Sequence, residues 1–379
     1  MIDKFSFIHT ADWHFWDKHK FSIDNSRLKK LYDNAMYIVK YAIKKKVDLI
    51  IIAGDITELS NPDEKIFKYL TKIFKYAIDN GVKIRIINGN HDTDGLTHSL
   101  ESLQNILSSI DNDMIKIYSF DIEGKRDNVS YMEFFGNNNF KIPVQFVPYQ
   151  KDVIGAIKSA SELCKKYNMN FGKRILATHC SVNGARASNG KMLKSNVKRK
   201  LFKIWDYVAL GDHHSHQKLA KGIYYPGSII RLNRGERDDQ KSFIHVTAIK
   251  GQKLKIKRIP LHDIELINCK IKYSNISSNI KKITSINGKS VKGAMVTVNI
   301  IGDIGTGEKV VKLKNALYNG GAAEVFPKFS NKLKFAKGID GKKIKLSFDV
   351  TESCERFAKS KNLGKDYVKY GIDKINSVR

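Results

Sequence analysis

Aspartate, asparagine and histidine recur in five short clusters of the chain. They are Asp12-Trp13-His14, Gly54-Asp55, Gly89-Asn90-His91-Asp92, the lone His179, and Gly211-Asp212-His213-His214, the last followed by Ser215-His216-Gln217. These side chains offer carboxylate, amide and imidazole donors, a set that suits divalent cations. Asp12 and His14 lie two apart, so on extended backbone they point to the same side and can grip one ion. Each cluster alone has an ordinary explanation. An Asp-x-His pair is common on surfaces, Asp55 could cap a helix, and Gly89-Asn90 could form a tight turn with left-handed residues. His179 could be a buried, satisfied histidine. Five clusters in one chain weigh against five separate accidents.

The elements that must position them are legible in the apolar pattern. Leu28, Leu31, Ala35, Ile38, Val39 and Ala42 recur at helical spacing between Asp24 and Lys46. "VDLIIIAGD" is a continuous branched run ending in Gly54-Asp55, as expected of a parallel strand buried on both faces. A second helix follows, with Pro62 suited to its first turn, a stripe of Ile66, Leu70, Ile73 and Ala77, and Gly81 just past its end. "VKIRIINGNHD", "KRILATH" and "DYVALGD" repeat the pattern of a strand running into a polar loop. The layout is βαβαβ, hence α/β. All five donor clusters fall at or just past the carboxyl ends of strands, where open α/β sheets form sites.

Residues 111–142 read as short strands and turns, a hairpin region within the first domain. Beyond 265 the pattern changes to strand ("GAMVTVNIIG"), helix ("TGEKVVKLKNALYNGG") and strand ("AAEVFPKF"), and the last 29 residues read as helical. The expected division is therefore 1–264, a small α+β domain at 265–348, and a helical tail at 349–379.

Lysine and arginine number 67 against 38 acidic residues, a formal charge of +29 that points to a polyanionic partner. Lys191, Lys194, Lys198, Arg199, Lys200 and Lys203 place six cations and no acid between 191 and 203, suited to following a phosphate backbone. No zinc-finger or RNA-binding signature appears, which argues against sequence-specific readout. Cys164, Cys180, Cys269 and Cys354 form no CxxC pair, as expected of a reducing, cytoplasmic setting. The N-terminal residues lack the order of a signal peptide, and no run is long and apolar enough to span a membrane.

The order DxH, GD, GNHD, H and a final GHxH-like cluster resembles the calcineurin-like metallophosphoesterases. "FIHTADWH", "ATHCSVNGA" and "YYPGSIIRLNRGE" are similar to segments of the SbcD-type DNA repair nucleases within that superfamily. The resemblance covers about the first 235 residues. It implies a metallophosphoesterase-type layered α/β sandwich with a small α+β capping, DNA-binding domain and a tail that docks on the coiled coil of an SbcC-type ABC ATPase. It implies two divalent ions, Mn²⁺ ahead of Mg²⁺, one held by Asp12, His14, Asp55 and His214 and the other by Asp55, Asn90, His179 and Asp212. His91 is then the catalytic residue assisting the leaving oxygen, with Asp92 in support.

The family's "LGHxHxxQ" aligned on Leu210-Gly211 and Gln217 sets Asp212 and His214 as the ligand pair and leaves His216 as a DNA or phosphate contact. A shifted register using His214 and His216 is the rival. Asp212 in place of histidine favours a harder ion. Glu58 stands where the family often has His or Asp, and could touch DNA or support the site. Lys198, Arg199 and Lys200 are DNA-contact candidates. The expected activity is Mn²⁺-dependent DNA cleavage by the nuclease component of a homodimer within a heterotetramer. The alternatives are a phosphoesterase acting on small phosphoesters and a catalytically weak DNA-binding scaffold for the ATPase.

Overall fold

A computed structural model describes residues 3–17, 26–93, 99–108, 113–119, 128–166, 173–187, 190–236, 239–302 and 307–329. The chain divides into two compact units between Leu266 and Ile267. The expected helical tail, 349–379, lies outside the described residues.

The first unit is built on two six-stranded sheets. One contains β1 (Lys4–Thr10), β2 (Leu49–Ala53), β3 (Lys83–Ile87) and β4 (Ile115–Tyr118) in parallel. The other contains β5 (Tyr131–Asn137), β6 (Phe140–Val147), β7 (Ile175–His179), β8 (Tyr207–Gly211), β9 (Gln217–Ala220) and β10 (Ile223–Tyr225). The first sheet is completed on the far side of β1 by the antiparallel β11 (Ser242–Ile249) and β12 (Lys255–Pro260). In the second, β6, β7, β8 and β10 run parallel in register.

Alternation along each strand explains the layering. Leu49 and Ile51 of β2 join Phe5, Phe7, Phe146, Ile175, Ala177, Tyr207 and Ala209 in a core between the sheets. Ile50 and Ile52 face the other way, against α1 (Ser26–Lys45), α2 (Glu64–Asp79) and α3 (Ser99–Ser108). Leu176, Val208 and Leu210 face outward from the second sheet against α4 (Val153–Lys166). The order is helices, sheet, sheet, helix. Strands buried on both faces must be apolar throughout, which is why their sequences read as continuous runs.

The helical stripes read from the sequence are the buried faces, and Lys44 and Lys45 complement the dipole at the end of α1. Pro62 does not sit in the first turn of α2. It precedes the N-cap Asp63, and Glu64 opens the helix instead. The 111–142 region is split: β4 extends the first sheet, while β5 and β6 form an antiparallel hairpin in the second.

Across the sheets, His9 of β1 sits fully buried between Tyr207 Oη (3.0 Å) and the Leu210 carbonyl (3.1 Å). A carbonyl only accepts, so Nε2 carries the proton and Nδ1 accepts from the tyrosine. Burial, only partly offset by that carbonyl, pushes the His9 pKa down to about 3 and keeps the ring neutral.

The second unit begins one residue into β13 (Leu266–Lys272) and continues with a short hairpin of β14 (Ser285–Ile286) and β15 (Lys289–Ser290), β16 (Met295–Ile301), α5 (Gly307–Asn319) and β17 (Glu324–Phe329). β16 and β17 are parallel, joined by the crossover helix, over a core of Val296, Val298, Leu313, Leu317 and Val325. The strand–helix–strand reading holds there. The β14–β15 hairpin had no sequence signal beyond Asn287-Gly288 at its turn.

Candidate metal centre

Five loops leave the carboxyl ends of β1, β2, β3, β7 and β8 and meet at one place. The first two are laced together by backbone: Asp12 N–H donates to Gly54 O and His14 N–H to Asp55 O, both at 3.0 Å. Asp12 (φ 53°), His14 (φ 47°), Asp55 (φ 53°) and Asp212 (φ 110°) all have positive φ. The extended backbone expected at Asp12 and His14 is therefore absent. The pair converges through left-handed residues, a conformation that costs free energy and is stored at functional sites. Gly89 and Gly211 permit the close approach. A Cβ at Gly89 would collide with the Asp55 carboxylate, and one at Gly211 with the Ala53 carbonyl.

Three groups of donors lie close enough to share an ion among the described residues: Asp12, His14 and His214; His14, Asp55 and His91; and Asp12, Asp55 and His179. Asp55 Oδ2 stands 3.5 Å from His14 Nε2 and 3.4 Å from His179 Nε2. Its other oxygen accepts the His91 N–H at 2.9 Å. Asn90 Oδ1 is 3.0 Å from His179 Nε2, while His179 Nδ1 donates to the Ala53 carbonyl at 2.8 Å. Asp12 Oδ1 accepts the Asp212 N–H at 3.0 Å, but Oδ2 is buried without a hydrogen-bond donor. A buried carboxylate oxygen left in that state is costly, and a divalent cation satisfies it, so this donor set fits a metal.

The electrostatics follow from burial and crowding. Burial pushes the Asp12 carboxyl up to about 6, against the opposing pull of His179 and His214. Burial also acts against the Asp55 charge, yet His179, His14 and the His91 amide together hold that carboxyl well below the usual range. Burial disfavours charge on His179, but Asp55, Asp12 and Asp212 outweigh it and lift the pKa to about 10. The site is poised to hold positive charge.

The remaining candidates fall into place around this centre. Asp92 accepts from Gly89 N–H (2.8 Å), Thr57 N–H (2.9 Å) and Thr57 Oγ1 (3.0 Å), tying the loops after β2 and β3 together. Glu58 Oε2 is 2.7 Å from His14 Nδ1, and its carbonyl accepts from His91 Nδ1 at 3.0 Å. The acidic residue at this position thus backs two histidines. Asp212 belongs to none of the three donor groups; its carboxylate lies 3.5 Å from His213 Nε2, although its charge reaches His179. His91, expected to stand clear of metal, is close enough to His14 and Asp55 to join a donor group.

His213 is held by Ser181 Oγ at 3.0 Å and by the edge of Tyr225. His216 lies in no donor group; burial and the Arg258 charge push its pKa down to about 4. Lys198, Arg199 and Lys200 are exposed, at a short 3₁₀ turn in the stretch between β7 and β8, and Arg199 donates to the Leu219 carbonyl at 3.0 Å.

Sequence reasoning missed Glu236 and Lys241. Glu236 is fully buried and accepts from His214 Nδ1 at 2.9 Å. Burial opposes its charge, yet His214 and Lys241 hold its pKa at about 2, and the same carboxylate raises that of His214. Glu236 closes the "YYPGSIIRLNRGE" signature, so the available signal was a carboxylate inside a segment already recognised as distinctive.

Comparisons with known proteins agree with the geometry. A 285-residue match at 26% identity covers 69% of this chain and 71% of the SbcD component of the nuclease SbcCD from Staphylococcus epidermidis. The DNA double-strand break repair protein Mre11 of Saccharolobus solfataricus is 26% identical over 77% of this chain and 68% of its own. A dimetal phosphatase structure from Danio rerio superposes at a TM-score of 0.38 with 14% identity over 68% of this chain and 99% of that one, too distant to bear on the argument. The calcineurin-like phosphoesterase family profile matches residues 5–216, a span that includes every loop of the centre. The chain belongs to the calcineurin-like phosphoesterase family.

Proposed function

We propose that this protein is the DNA nuclease component of a double-strand-break processing complex, cleaving phosphodiesters with two Mn²⁺ ions. Asp12, His14, Asp55 and His214 would hold one ion, and Asp55, Asn90, His179 and Asp212 the other. The observation that carries this reading is the convergence of His14 Nε2 and His179 Nε2 on the single oxygen Asp55 Oδ2, at 3.5 and 3.4 Å, as a carboxylate shared between two sites requires. The names of the relatives support DNA as the substrate.

When bound, paired divalent ions neutralise phosphate oxygens and make water a competent nucleophile near neutral pH. The chain's own groups do the rest. His91 Nδ1–H donates to the Glu58 carbonyl, which leaves Nε2 as the working atom: in the doubly protonated ring Nε2–H gives its proton to the departing oxygen, and the ring is left neutral with Nδ1–H still on Glu58. Asp92 keeps the His91 loop against the Asp55 loop. Lys198, Arg199 and Lys200 contact the phosphate backbone, and His216 is a further DNA or phosphate contact. Residues 265–348 cap the DNA, residues 349–379 dock on the coiled coil of an SbcC-type ATPase in the cytoplasm, and two copies of the chain pair within the complex.

The test is cleavage of linear double- and single-stranded DNA by purified protein with Mn²⁺, Mg²⁺ or EDTA, alongside His91→Ala. Mn²⁺-dependent degradation that falls by roughly 10²–10⁴-fold in the variant, with Mn²⁺ binding retained, is the expected result. Intact DNA together with hydrolysis of a small phosphodiester would overturn the substrate assignment and leave a phosphoesterase.

A further inference from the structure

Behind His214 lies an ion pair that nothing in the catalytic reading uses. Glu236 Oε2 and Lys241 Nζ are 2.6 Å apart, with side-chain exposures of 0% and 1%. The carboxylate is saturated: Oε1 accepts from His214 Nδ1 (2.9 Å) and the Asn233 amide, and Oε2 from Lys241 and the Leu232 N–H (3.0 Å). The ammonium is equally engaged, donating also to the His214 carbonyl (2.9 Å) and Ser228 Oγ (3.0 Å). The Ser228 N–H donates to that same carbonyl at 3.0 Å. His214 is thus gripped twice by one neutral pair, at its ring by the anion and at its backbone by the cation.

A buried ion pair contributes little to stability compared with apolar residues of the same volume, because desolvation offsets the attraction. A positional role fits it better. Nδ1–H on Glu236 fixes the tautomer that turns Nε2 toward Asp12 and His14, the two residues that share a donor group with His214. Lys241 keeps Glu236 ionised and locks the height of His214 through its carbonyl. The contrast with His179 is informative, since its Nδ1 is held by the neutral Ala53 carbonyl.

We infer that Glu236 and Lys241 are positioning residues that set the ring orientation, tautomer and backbone height of His214, and so the affinity of one of the two metal positions. The inference rests on the metal-centre assignment above but not on DNA being the substrate. An orienting carboxylate of this kind typically contributes about 10–100-fold in metal affinity.

The experiment is Mn²⁺ titration of the full chain by calorimetry and electron paramagnetic resonance. The proteins are wild type, Glu236→Ala, Glu236→Gln and Lys241→Met, each melted with and without Mn²⁺. Expected is a roughly 10–100-fold loss at one ion only in Glu236→Ala, with the second ion unaffected, and a smaller loss in Glu236→Gln, whose amide oxygen still accepts from His214. The Mn²⁺-induced rise in Tm shrinks in both, and ¹⁵N spectra of labelled histidine, taken without Mn²⁺, show His214 leaving the Nδ1–H tautomer in Glu236→Ala.

If Glu236→Ala does not fold, Glu236→Gln and Lys241→Met carry the test. Affinities within twofold of wild type at both ions would overturn the inference. So would an equal drop in Tm with and without Mn²⁺, the mark of a purely structural pair. A wild-type protein that binds no Mn²⁺ would instead remove the metal-centre assignment on which it stands.

Discussion

Glu58 and His9 show how differently two residues near one centre can act. Glu58 stands 2.7 Å from His14 Nδ1 and supports His91 through its carbonyl. Glu58→Gln keeps the carbonyl and loses the charge behind His14, so Mn²⁺ affinity should fall about tenfold while the His91 contact survives, as a titration will read. His9 is a matter of stability. Burial lowers its pKa from 6.5 to about 3, so between these values the unfolded chain binds the extra proton and the folded one does not. Stability contributed by this residue is complete above about pH 6.5 and is lost as pH falls toward 3, by about 5 kcal/mol at most. Urea unfolding at pH 7 and pH 4.5 should show a steeper decline for wild type than for His9→Gln, which keeps a donor and an acceptor without titrating.

At the scale of elements, strand ends were readable and loop conformations were not. β2, β7 and β8 announce themselves because both faces are buried, and at or just past their carboxyl ends they deliver Asp55, His179 and Asp212 to one edge. The left-handed backbone of Asp12 and His14 depends on hydrogen bonds to Gly54 and Asp55, some forty residues away, which a local reading cannot supply. Glu236 escaped for the same reason, since it meets His214 through a turn 22 residues later. Pro62 suited a helix start in isolation, but Asp63 took the cap. Close packing of the loops makes a firm prediction. Gly211→Ala drives a methyl into the Ala53 carbonyl and His179, and should cost about 1–3 kcal/mol in chemical denaturation, with a matching loss of Mn²⁺ binding.

At the scale of the molecule, the +29 charge was visible at once, whereas its placement needed the fold. Lys198, Arg199 and Lys200 are exposed in the stretch joining two strands that end at the centre. Replacing all three with alanine should lower the slope of log affinity for duplex DNA against log salt by about 2–3, at roughly 0.9 per phosphate contact. The donors themselves come from both layers, Asp12 and Asp55 from the first sheet and His179 and His214 from the second. An ion gripped by both layers is a reversible cross-link that closes very long loops of chain, and it reduces the entropy of the unfolded state much as a covalent staple does. Chelation would then do more than silence the enzyme: with the apolar core between the sheets intact, it would release the loops at the strand ends, and limited proteolysis in EDTA should cut those loops sooner than in Mn²⁺.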